Sequence, residues 1–247
     1  MPCPHGLAEL HAMLILAFNT TDEHGGAAIY RDAERLAVAA NESSASYSIT
    51  LFQMVDTLLQ QTQRSLRDIE LFAVAHGPGS FTGIRIGVAA AQAWGTAFSR
   101  PVRGISVLEA MVEEARPDTR FALPVLDARR GEFFLSLFER LDSTGALVAC
   151  GEAFLAKPDA IARLLQQAAR TAHGLICVAR QHDVAAQALG SNWPQFRWRS
   201  VAGSLVDGIA RCALQAYQQG MLQSPAELDA YYIRHTDAEM KWRTIVE

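Results

Sequence analysis

Apolar and polar positions alternate along this chain in short blocks. Residues 13–18 are an uninterrupted apolar run, turn chemistry fills 22–26, and apolar stretches follow at 27–30 and 36–39. That pattern predicts three short strands in an antiparallel meander. Leu51, Val55, Leu58 and Leu59 then recur at helical spacing, and residues 71–75 form a buried strand that runs into a glycine-rich turn. A small-residue helix is predicted from Ile84 to Phe98. The second half reuses the plan. Apolar runs at 121–126 and 132–138 flank a polar turn at 127–131, Pro158 opens a helix to about 170, and residues 175–179 form another strand. Ser204 is placed to cap a last helix that Gly220 ends. Hairpin, helix and strand occurring twice predict a mixed α/β protein of two lobes, residues 1–104 and 105–247, divided near Gly104.

Half of the 247 residues are apolar, which supports a substantial core. The net charge of −4 opposes strong independent binding to a polyanion, because contacts from Lys and Arg supply most nonspecific affinity for nucleic acid. Cys3, Cys150, Cys177 and Cys212 are scattered, with no C-x-x-C pair and no basic segment ahead of a secretory apolar stretch. The expectation is reduced thiols in a cytoplasmic protein. No apolar run approaches the roughly 20 residues that cross a bilayer. Cys3, His5 and His11 do not make the four-ligand set of a structural zinc site, so no metal is expected there. Met13 stands where the first strand begins, and the residues before it read as an extension or a misassigned start.

The segment His76-Gly77-Pro78-Gly79-Ser80-Phe81-Thr82-Gly83-Ile84-Arg85-Ile86-Gly87 carries the most chemistry. Ser80 and Thr82 are good helix N-caps, and the free amides of a first helical turn favour an anion or another backbone. Its spacing, G-x-G-x-x-x-G, is one residue too long for a dinucleotide fingerprint. A phosphate loop of the Walker type needs Lys where Ile84 stands. No G-x-S-x-G, H-E-x-x-H or D-x-D-x-D pattern is present, and His76 reads as a structural or surface histidine rather than a base. Gly79, Gly83 and Gly87, followed by Ala90, Ala91, Ala93, Gly95 and Ala97, make a surface that a backbone can approach closely. That surface serves the chain's own sheet, a partner, or both. The turn of Asp127, Arg129, Arg130 and Glu132 is either an anion site or a self-neutralising hairpin.

The glycine segment closely resembles the signature of the bacterial TsaB (YeaZ) family, which works in making threonylcarbamoyladenosine in tRNA. Leu14-Ile15-Leu16-Ala17-Phe18-Asn19-Thr20-Thr21 is similar to that family's first strand. Leu126-Asp127-Ala128-Arg129-Arg130-Gly131-Glu132 is similar to its central hairpin, and Ala230-Tyr231-Tyr232-Ile233-Arg234 to its closing segment. The resemblance spans roughly residues 13–236.

The resemblance implies an actin-like (ASKHA) fold and a catalytically silent relative of the enzyme TsaD. Actin-like ATPases offer a first-hairpin Asp to a metal-bound phosphate, and the corresponding residue here is Asn19, which lacks the charge. Asn19, Thr20, Thr21, Asp127, Arg129 and Arg130 remain candidates for weak anion binding. TsaD carries two metal-binding histidines spaced four apart, and Val107 and Met111 fall at those positions, leaving Glu109 as an ordinary helix-start carboxylate. The implied partner face comprises Gly79, Ser80, Phe81, Thr82, Gly83, Arg85, Gly87, Ala90 and Trp94, with Leu51 and Val55 on the earlier helix. Expected partners are TsaD and TsaE, a second copy when the chain is alone, and tRNA only within the complex. No cofactor, catalytic residue or membrane contact is expected. The rival reading is a stand-alone ATP-binding or metallopeptidase-like enzyme of the same fold.

Overall fold

The computed structural model describes residues 12–41, 46–142, 145–171, 174–180 and 197–233. Cys3, His5, His11 and Arg234 lie outside them. The meander is present as β1 (Leu14–Asn19), β2 (Gly26–Arg31) and β3 (Glu34–Ala40), each antiparallel to the next. Helix α1 (Tyr47–Thr62) leads to β4 (Leu71–Gly77), and α2 (Phe81–Phe98) leads to β5 (Val102–Ser106). Strands β4 and β5 join β1 in parallel, giving the order β3-β2-β1-β4-β5. Position 104 therefore lies inside β5, and the chain leaves this sheet only after Ser106.

After α3 (Val107–Ala115) the second sheet repeats the first. Its strands are β6 (Phe121–Asp127), β7 (Phe133–Leu135), β8 (Phe138–Arg140), β9 (Leu147–Ala149), β10 (Phe154–Ala156), β11 (Ile176–Ala179) and β12 (Arg197–Ser200). The main path runs β10-β7-β6-β11-β12, with α4 (Pro158–Thr171) ahead of β11 and α5 (Val206–Gln218) after β12. Position by position, β6, β7, β10, β11 and β12 stand for β1 to β5.

One expected strand, 132–138, is split into β7 and β8 although both keep one register along β6. The Ala128 N–H donates to the Glu132 carbonyl, which makes every second residue of β6 from there, including Pro124, a hydrogen-bonding position. Proline has no N–H to give, so the ladder lapses opposite Pro124.

The described residues form five layers. Leu51, Leu58, Ile84 and Trp94 pack α1 and α2 on the outer face of the first sheet. Ile161 and Leu165 pack α4 on the outer face of the second. Between the sheets lie α3 and α5, in one core with Ile15, Ala73, Ile105, Met111, Phe134, Val178 and Ile209. Helix α5 rests on β1, β2, β4 and β5, while α3 reaches β4, β5, β6 and β11. The two helices touch backbone to backbone at Gly208, where any Cβ would overlap the Ala110 carbonyl. Ser204 does not cap α5. Leu205 occupies that position with φ 60°, and its apolar side chain has no oxygen with which to accept from the first helical amides.

Glu109 lies half-buried in this middle layer. Burial pushes its carboxyl above the usual range, with Glu113 adding to the shift and Arg103, the Cys212 thiol and the Ser106 backbone opposing it. A carboxyl whose folded value is raised contributes stability that is complete below its unfolded value, about 4.3, and lost as pH rises through the folded value. The variant Glu109→Gln should therefore lose part of the decline in urea midpoint that the native chain shows between acidic and neutral pH. Identical pH slopes would contradict the burial argument.

Candidate functional site

The glycine segment joins β4 to α2 through a cis Gly77–Pro78 bond, and Ser80 caps the helix by accepting from the Gly83 N–H at 3.4 Å. Its glycines face inward, onto the β1–β2 turn. A Cβ at Gly83 would overlap the Thr20 carbonyl, one at Gly79 would stand 2.6 Å from the Thr21 carbonyl, and one at Gly87 2.5 Å from Thr20 Oγ1. The Thr20 hydroxyl donates to the Gly83 carbonyl at 2.7 Å, and the Ser80 N–H to the Thr21 carbonyl at 2.7 Å. The close approach legible in the glycine spacing is thus an approach of the chain to itself.

Asn19 organises that turn. Fully buried, it accepts from the Thr21 N–H at 2.9 Å and the Thr21 hydroxyl at 2.7 Å through Oδ1, and donates from Nδ2 to the Ser204 carbonyl at 3.1 Å. The side chains of Asn19, Thr20 and Thr21 are thus all engaged in internal hydrogen bonds. Asp22 continues the contact across the cleft by pairing with Arg180 at the end of β11, and Arg180 also donates to the Gly203 carbonyl. The Tyr47 hydroxyl donates to the Asp22 carbonyl at 2.7 Å, which ties α1 to the same turn.

Asp127 holds in the second sheet the position that Asn19 holds in the first, yet it is exposed and accepts from the Arg129 N–H at 2.7 Å. Arg129, Arg130 and Gly131 follow with φ of 62°, 57° and 74°, a left-handed turn that presents both arginines outward. The turn is a self-closed hairpin end at its backbone. Val107 and Met111 are core residues, 1% and 0% exposed. His76 is structural, with Nδ1 3.0 Å from the Asp229 carbonyl and its ring stacked on Tyr231, and burial lowers its pKa.

The expected partner face divides in two. Gly83, Gly87, Ala90, Trp94, Leu51 and Val55 are covered by the chain's own core, because their side of each helix lies against the first sheet. Gly79, Ser80, Thr82 and Arg85 are exposed, and Phe81 is half-buried. Ala89, Ala93, Thr96 and Ala97 continue the outward stripe of α2. Beside it α1 exposes Ile49 at 57% and Phe52 at 51%, with the Phe52 ring 5.8 Å from that of Trp94. Ile49 and Phe52 escaped the sequence reading. Their signal was available, since they lie three apart and outside the buried 51/54/55/58 stripe.

Two substitutions probe this junction. Gly83→Ala should lower stability by about 1–3 kcal/mol, as overpacking does, and urea denaturation would read the loss. Arg180→Ala removes a guanidinium that is 9% exposed from the Asp22 pair, and breaking a buried pair costs about 3–5 kcal/mol. The same measurement should find Arg180→Ala less destabilising in an Asp22→Asn background than alone.

Residues 38–222 match the family model described as TsaD, tRNA N6-adenosine threonylcarbamoyltransferase. The chain is similar to the tRNA threonylcarbamoyladenosine biosynthesis protein TsaB of Bacillus subtilis, 31% identical over 127 residues, 51% of this chain and 56% of that protein. It is also similar to the protein of the same name from Escherichia coli, 30% identical over 157 residues, 63% of this chain and 67% of that protein. The chain thus spans between about half and two thirds the length of these curated relatives. A solved Pseudomonas aeruginosa protein, described as uncharacterized with similarity to peptidase YeaZ, shares the fold with a TM-score of 0.74 at 20% identity, covering 90% of this chain and 100% of that one. The architecture is the actin-like one expected. More than half of the chain lies within the family model, and with these relatives beside it the chain belongs to the TsaD-related family as a member of its TsaB (YeaZ) branch.

Proposed function

We propose that this chain is a noncatalytic subunit in the making of threonylcarbamoyladenosine in tRNA, where it dimerises with TsaD and supports transfer of the threonylcarbamoyl group to adenosine. The observation that carries the reading is the outward face of α1 and α2, which pack on the first sheet and leave Ile49, Phe52, Ala89 and Ala93 exposed. Exposed apolar side chains gathered on one surface favour association with another protein. A stable interface buries around 800 Å² per partner, which two helices can supply. The relatives named TsaB support the pathway.

The side chains at the cleft favour positioning over chemistry. Asn19 has its amide satisfied by Thr21 and Ser204, and the carboxylate of Asp22 is held by Arg180. Core side chains stand at 107 and 111. TsaE and tRNA join through the complex, and a second copy of this chain takes the same face when TsaD is absent.

Rebuilding the modification reaction with and without this chain tests the proposal. Threonylcarbamoyl transfer by TsaD should fall to background when the chain is omitted. Ala93→Glu and Phe52→Arg should weaken the complex by about 100-fold or more, in line with loss of central interface residues, and leave the circular dichroism unchanged. Turnover of substrate by the isolated chain would favour the rival enzyme reading.

A further inference from the structure

Arg85 is gripped by two aromatic residues from distant parts of the chain. Its guanidinium carbon lies 3.7 Å from the centre of the Phe81 ring, and Nε donates to the Tyr232 hydroxyl at 3.1 Å. The rings of Phe81 and Tyr232 pack at 5.0 Å. Phe81 opens α2, whereas Tyr232 lies beyond α5 on a segment pinned to the first sheet. There the Tyr231 N–H donates to the His76 carbonyl at 2.8 Å, and Gln92 Nε2 to the Leu228 carbonyl at 2.8 Å. An arginine normally loses side-chain freedom when it binds, and here much of that freedom is already gone.

The held guanidinium has capacity left. Among the described residues Arg85 makes no ion pair, and its only hydrogen bond is the one from Nε, so Nη1 and Nη2 keep the forked edge that matches a carboxylate. The first turn of α2 contains no acidic residue, so the helix dipole and the guanidinium present the same positive sign. Across α1 and α2 the only charged residues are Asp56 and Arg85. A phosphate backbone is bound by several cations acting together, which this face lacks. A single ordered arginine beside exposed Ala89 and Ala93 suits an acidic side chain set in an otherwise apolar protein surface.

We propose that Arg85, positioned by Phe81 and Tyr232, is the polar anchor of the docking face and receives an Asp or Glu carboxylate of TsaD. The proposal rests on the functional reading above and adds the chemistry of its contact. It also makes the C-terminal segment part of the docking apparatus, because Tyr232 orients the anchor without itself needing to touch the partner.

Titration calorimetry with TsaD from the same organism, at low and high salt, tests it. Arg85→Ala should weaken binding about 10- to 100-fold and flatten the salt dependence, as truncating one member of an interfacial charge pair does. Arg85→Lys keeps the charge but loses the fork and should fall between. Tyr232→Phe, which removes only the hydroxyl, should weaken binding about 3-fold with an unchanged melting curve. Native-like affinity in the Arg85 variants, with Ala93→Glu abolishing binding, would overturn the anchor and leave the docking face standing. A native chain that does not bind TsaD at all would overturn the functional reading, and the anchor with it. Loss of tRNA retention by the complex at unchanged TsaD affinity would assign Arg85 to phosphate and refute a carboxylate partner.

Discussion

The structure depends on a satisfied amide at Asn19. One end accepts twice from Thr21 and so shapes the β1–β2 turn, and the other donates to the Ser204 carbonyl at the head of α5. Because α2 sits with its glycines on that same turn, the amide joins the outer helix layer to the loop entering the middle one. A buried carboxamide with both ends matched costs little, whereas one left unmatched would cost about 1–3 kcal/mol. Asparagine supplies a donor and acceptors at once, which aspartate in its ionised form does not.

The duplicated plan makes the contrast between the halves informative. Asn19 and Asp127 end equivalent strands, β1 and β6, yet one is buried between lobes and the other stands in an exposed turn closed by its own backbone. The first turn serves as a joint. The second presents Arg129 and Arg130 in left-handed backbone geometry that non-glycine residues adopt at some cost. Symmetry of fold has therefore not preserved symmetry of use.

Much of the architecture was legible in the residues. Periodicity located α1, α2, α4 and α5, and the paired hairpins announced the repeat. The strands that escaped were β5, β9, β10 and β12, each three to five residues long, too short to show alternation, with β12 reading Arg-Trp-Arg-Ser as a polar edge would. Pro124 was visible, but its effect on the ladder required knowing which residues of β6 faced hydrogen-bonding positions. At the site, glycine spacing announced a tight approach and could not say of what. Thr20 and Thr21 fill it. Ile49 and Phe52 were legible in principle as apolar residues on the wrong side of an amphipathic helix.

Helix α5 covers the inner face of a sheet whose strands all precede residue 107, while the helix itself ends at Gln218. During synthesis on the ribosome the first five strands can pair well before their inner cover has emerged, leaving apolar residues such as Ile15 and Ala73 open to water meanwhile. Such delayed, long-range closure slows folding and prolongs exposure to aggregation. Messages truncated before the codon for residue 206 would consequently yield chains with a native-like sheet and no native interior.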